Sequence, residues 1–81
     1  MKYDTDKVDE MVLALMSLGL HQDQFSTRAW KGFDWDCLNR LYEKGFIDDP
    51  INKAKSVGMT PEGLKRSEQL FEQFFCEHQK S

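Results

Sequence analysis

Asp34-Trp35-Asp36-Cys37-Leu38-Asn39-Arg40-Leu41-Tyr42-Glu43-Lys44-Gly45-Phe46-Ile47-Asp48-Asp49-Pro50, running on through Ile51-Asn52-Lys53-Ala54-Lys55-Ser56-Val57-Gly58-Met59 to Thr60, is the stretch on which the fold turns. Asp34 is a helix N-cap, and Trp35, Leu38, Leu41 and Tyr42 follow at spacings of three and four that line one helical face. Gly45 ends that helix because glycine adopts φ > 0 freely, and Lys44 places a cation near the negative helix end. Phe46 and Ile47 then read as a short apolar strand, and Asp48-Asp49-Pro50 as a loop, since proline lacks a ladder donor and aspartates favour turns. From Lys53 the large residues Lys55, Val57 and Met59 alternate with the small Ala54, Ser56 and Gly58, the pattern of a return strand with one buried face. Thr60 and Pro61 open the final helix as N-cap and first helical residue.

Outward from this stretch, Asp4 or Thr5 caps a first helix from about Thr5 to Leu18, with Asp6, Asp9 and Glu10 near its positive start. Val8, Met11, Val12, Leu15 and Leu18 make one apolar stripe, and Leu13, Met16 and Leu20 make a second. One stripe faces the domain's own core; the other needs cover from a later helix or from a second subunit. His21 to Phe33 shows no clear period. Gln22 to Ala29 has room for one or two helical turns, and Trp30 and Phe33 read as plugs that fix a loop to the core rather than as an exposed aromatic surface. The last helix runs from Pro61 to about His78 and carries Leu64, Leu70, Phe71, Phe74 and Phe75 on a broad apolar arc.

Helix, glycine stop, apolar step, charged loop, return strand and Thr-Pro-Glu-Gly cap follow one another as in the second half of winged-helix domains. The resemblance is carried by Leu38 through Ile47 and by Lys55 through Leu64. Most of the chain also resembles a small bacterial family of uncharacterised domains, through Tyr3-Asp4, Arg28-Ala29-Trp30-Lys31-Gly32-Phe33-Asp34-Trp35-Asp36 and Lys53-Ala54-Lys55-Ser56-Val57. That likeness implies a fold and no activity. The fold class expected is α+β, mostly helical and winged-helix-like, with three main helices and a two-stranded β-hairpin in one domain over residues 1–81. The segment between His21 and Phe33 departs from the winged-helix pattern, which places there the helix that braces a recognition helix against DNA.

Eighty-one residues with 40% hydrophobic and 12% aromatic content suffice for one packed core. The net charge is −3, and over residues 28–55 cations and acids nearly cancel: Arg28, Lys31, Arg40, Lys44, Lys53 and Lys55 interleave with Asp34, Asp36, Glu43, Asp48 and Asp49. A nucleic-acid binder normally shows a basic stripe instead. Cys37 and Cys76 lack metal-like spacing and no apolar run is long enough to span a bilayer, so a reducing cytoplasm fits.

Cys76-Glu77-His78 and the pair His21, Asp23 are the candidate metal ligands, and neither has the paired spacings of a zinc site. No carboxylate pair, phosphate loop or nucleophile elbow stands out, so no catalytic residue, cofactor site or metal site is assigned. A DNA-binding alternative would use Asn39, Arg40, Lys44, Lys53 and Lys55, but Asp36 and Glu43 share that helix face, and Asp36 and Arg40 are spaced to pair on the surface. The residues favour a non-enzymatic interaction or dimerisation module over a DNA-binding regulator. A symmetric homodimer would be built from Leu13, Met16 and Leu20 of the first helix and Leu70, Phe71, Phe74 and Phe75 of the last.

Overall fold

The computed structural model describes residues 1–22 and 27–77. Three helices, α1 (Thr5–Leu15), α2 (Trp35–Glu43) and α3 (Pro61–Phe75), pack around a small antiparallel sheet of β1 (His21–Gln22), β2 (Thr27–Trp30) and β3 (Ser56–Gly58), in the order β1-β2-β3. The fold is α+β and mostly helical, as the sequence implies. Each helix starts where a side chain caps it: the Asp4 carboxylate accepts from the Lys7 amide, Asp34 from Cys37 and the Thr60 hydroxyl from Gly63. Gly45, at φ 82°, closes α2, with its own amide donating to the Tyr42 carbonyl and the Phe46 amide to Leu41. Thr60 also donates its hydroxyl to the Gly45 carbonyl at 2.6 Å, so the end of α2 and the start of α3 are one joint.

The sheet differs from the expected hairpin. Ile47 meets Met59 in a single bridge, while the ladder of β3 runs to β2, pairing Arg28 with Gly58, Ala29 with Val57 and Trp30 with Ser56. Residues 21–22 and 27–30 are therefore strands where a second helix would stand in a winged-helix domain. Alternation along β2 turns Ala29 fully inward and Trp30 outward, which is why Trp30, read as a buried plug, is 56% exposed. Phe33 does pack against the core.

A second correction concerns helix rotation. Leu13 and Met16 lie in the core with Ala14, whereas Leu18 is 73% exposed and Leu15 lies at the surface, so the stripe expected to await a second subunit is the one the domain buries itself. Leu70 is also core, and Phe71 and Phe74 pack partly onto it; of the seven residues assigned to a dimer contact, Leu20 and Phe75 stay exposed. On α2 the buried residues are Cys37, Leu38 and Leu41, and the supposedly inward Trp35 and Tyr42 face solvent. The reason is Asp9. It continues the Leu13–Met16 stripe one turn back and is buried, which draws α2 round until Arg40 and Lys44 reach it. Arg40 consequently pairs with Asp9, not Asp36.

Helix α3 comes close to its neighbours on small residues. A Cβ at Gly63 would overlap the Phe46 carbonyl. Ser67, fully buried, donates to the Leu13 carbonyl at 2.6 Å, and its oxygen lies 2.6 Å from that of Ser17. Among the described residues, no helix is long and apolar enough to cross a membrane.

Candidate functional site

Gly45, Thr60 and the β2–β3 ladder fix the position of a surface groove between the end of β2 and the loop that precedes β3. One wall is Trp30, last residue of β2, and the other is Trp35, first residue of α2 and 52% exposed. Lys31 and Gly32 connect them, and Asn52, Ala54 and Lys55 face them from the loop, enclosing about 520 Å³. The floor is tied by the Lys31 amide donating to the Lys55 carbonyl at 3.2 Å.

Lys31 organises the far side. Its ammonium donates to the Pro50 carbonyl at 2.8 Å and to the Asn52 carbonyl and side-chain Oδ1 at 3.2 and 2.8 Å, and it stands 5.8 Å from the centre of the Trp35 ring. Asn52 in turn receives the Ala54 amide on the same Oδ1, so a loop of exposed residues takes a defined course. Trp30 is held from below: its ring lies against Gly19, where a Cβ would overlap it, and 5.0 Å from the His21 ring. Trp30 is thus exposed on one side and braced on the other, and Trp35 presents an exposed ring across the groove. No Cys, His, Asp or Glu side chain lines the groove among the described residues.

A second groove, of about 510 Å³, lies between the turn after α1 and the last turns of α3. Leu20, Leu64 and Phe71 give it apolar lining, and Ser17, Cys76 and the exposed Glu68, Glu72 and Glu77 complete it. No group of three metal-type ligands occurs among the described residues. His21 instead stacks on Trp30 with Nδ1 3.2 Å from the Gly19 carbonyl, Cys76 is exposed, and Asp23 and His78, the other members of the candidate ligand sets, fall outside the described residues.

The residues of the DNA-binding alternative do not come together as one band. Arg40 grips both carboxylate oxygens of Asp9 at 2.8 Å, and Lys44 reaches Asp9 at 3.0 Å and Asp6 at 3.3 Å. Burial pushes the Asp9 carboxyl up, but hydrogen bonds from Arg40, Cys37 and Lys44 outweigh it and hold the group down at about 2. The same contacts raise Arg40 and, against its partial burial, Lys44. Burial and the neighbouring Asp9 carboxylate push the Cys37 thiol up to about 12. Asn39, Lys53 and Lys55 remain exposed, the two lysines in the loop beside the tryptophan groove.

Sequence periodicity conceals the groove, because it puts Trp35 on the apolar face of its helix and makes Trp30 a plug. Its signal was nevertheless present in the two stretches that carry the bacterial-family resemblance, Arg28–Asp36 and Lys53–Val57, which the fold brings together as its two sides. A protein of Sinorhizobium fredii (strain NBRC 101917 / NGR234), named "Uncharacterized protein y4hR", is 53% identical over 75 residues, spanning 93% of this chain and 97% of its own. No solved structure matches the chain. Residues 4–77 match the family described as a domain of unknown function, DUF6429, and the chain belongs to that family.

Proposed function

We propose that this domain is a non-enzymatic protein-interaction module, cytoplasmic in setting, whose contact surface is the groove between Trp30 and Trp35. The observation that supports it is a pair of indoles, each more than half exposed, on either side of one cleft, with Trp30 braced from behind by Gly19 and His21. Exposed aromatics in a rigid frame are the side chains that most often dominate binding energy at protein interfaces, because they bury a large area with little loss of rotamer freedom. The groove lining offers no acid–base pair or nucleophile–base pair, and the Lys31 amine already donates to three oxygens.

A DNA-binding regulator is the weaker reading. Two of its five residues, Arg40 and Lys44, have their charge matched by Asp9 and Asp6, leaving Asn39, Lys53 and Lys55. The test is affinity capture from native cell extract with and without nuclease, using the wild type and Trp30→Ala/Trp35→Ala. A protein retained after nuclease and lost with the double variant supports the module. Retention that nuclease abolishes, together with a sequence-specific mobility shift lost in Lys55→Ala, would favour DNA instead.

A further inference from the structure

Three apolar side chains, Leu20, Leu64 and Phe71, line the second groove. Leu18, in the same 3-10 turn as the lining Ser17, is exposed, and the exposed Phe75 ring lies 5.4 Å from that of Phe71. The fold thus leaves apolar area open along this face after its core is filled. The charge of the lining has one sign. It includes Glu68, Glu72 and Glu77 and no cation. The ion pairs among the described residues, which join Arg40 and Lys44 to Asp6 and Asp9 and Arg66 to Glu10, include none of these three glutamates. Lys65 is exposed three residues before Glu68, so one cation stands beside three carboxylates.

We infer that this groove is the docking site of a basic amphipathic helix on a foreign protein. Apolar side chains of that helix enter against Leu20, Leu64 and Phe71, and its lysines or arginines meet Glu68, Glu72 and Glu77. The sign of the groove selects the partner: opposite charge orients the encounter, and apolar anchors then hold it. The same carboxylates repel the phosphates of nucleic acid and of an anionic membrane. The backbone of the groove selects a helix. Ser17 belongs to a 3-10 turn and Leu64, Glu68, Phe71 and Glu72 to α3, so an extended partner finds no open strand edge to pair with among them, whereas a helix brings its own hydrogen bonds. From Leu64 to Glu72 the lining runs about 12 Å along α3, at about 1.5 Å per residue, a length that two turns of a partner helix span. At about 510 Å³ the groove falls in the range of clefts that take up apolar groups of drug size, which suits a few anchoring side chains. No residue of this lining belongs to the tryptophan groove, so the two surfaces are open to different partners.

Fluorescence anisotropy tests it with two labelled leucine–lysine peptides, each about four helical turns long and of one composition. In the first the leucines recur at spacings of three and four; in the second they are scattered. Each is titrated with wild type, Glu68→Gln/Glu72→Gln, Asp36→Asn/Glu43→Gln and Trp35→Ala. All these positions are exposed, and circular dichroism verifies that the variants fold. The periodic peptide binds the wild type saturably, and the scattered one on the order of tenfold or more weakly. The Glu68/Glu72 variant weakens the periodic peptide on the order of tenfold or more, while the Asp36/Glu43 variant, which loses the same net charge from α2, and Trp35→Ala stay within about twofold of wild type. Absent saturation, equal affinity for both peptides, or equal loss in the two charge-removal variants overturns the site, the last because net charge alone would then attract the peptide. Loss in Trp35→Ala alone moves the peptide to the tryptophan groove and overturns this site while leaving that one standing. A doubled chain mass on size exclusion that Glu68→Gln/Glu72→Gln abolishes would give the groove to a second copy and overturn the foreign partner.

Discussion

A carboxylate with 1% of its side chain exposed needs cations and donors around it, and at Asp9 that need sets how α1 and α2 face each other. Replacing it with asparagine leaves Arg40 and Lys44 without their shared partner and breaks a bidentate contact. Asp9→Asn should cost about 2 to 4 kcal/mol in urea unfolding, less than a fully enclosed pair because both cations reach solvent. The acid dependence follows in sign. Because the folded pKa, about 2, lies below the ordinary 3.8, the ionised form contributes stability in full above about pH 4, and that contribution fades as the pH falls from there toward 2. Its size is roughly 2 kcal/mol, from about 1.4 kcal/mol per pKa unit. Unfolding midpoints measured from pH 6 down to pH 2 should show this loss in wild type and a flatter course in Asp9→Asn; parallel courses would mean that Asp9 is not the group responsible. Beside it, the Cys37 thiol is buried and raised to about 12, whereas Cys76 is exposed. A disulfide-exchange reagent should therefore titrate one thiol per native chain quickly and the other only on unfolding.

At the scale of elements, the ends of helices were easier to read than their faces. A cap is a local event, decided by a few adjacent residues, so Asp34, Gly45, Thr60 and Pro61 could be placed from the chain alone and stand where expected. Thr60→Ala removes both the cap of α3 and the bond to the Gly45 carbonyl, and should lower stability by about 1 to 2 kcal/mol in chemical denaturation. Thr60→Ser, which keeps the hydroxyl, should recover most of that loss. Faces are decided by distant partners. The stripe through Leu13 and Met16 becomes the core stripe once Asp9 is counted on it, and a search for apolar periodicity passes over an aspartate. Strand β2 is hidden for a related reason: in Thr27-Arg28-Ala29-Trp30 only the small Ala29 is fully buried, so the outward tryptophan dominates the pattern, and the partner strand is 28 residues away along the Arg28 to Ser56 hydrogen bond. The groove shares that history, since its two sides come from segments the chain keeps apart.

For the molecule as a whole, the architecture that follows is a core formed by one face of each helix and the inner face of the sheet, with two open grooves left on the outside. The core accounts for Leu13, Met16, Leu38, Leu41 and Leu70; it has no use for Trp30, Trp35, Leu18 or Lys55, which are therefore free to serve contact. The proposed contact surface draws on these exposed side chains, and covering them with a partner would remove apolar area from water. The most direct check is to follow the indole Nε1–H signals of Trp30 and Trp35 by two-dimensional NMR as a protein captured by the wild type is titrated in. Both indole signals, with the amides of Lys31 and Gly32, should move while those of Asp9 and Arg40 stay fixed. Indole signals that hold still through the titration, while signals elsewhere on the surface shift, would contradict the account.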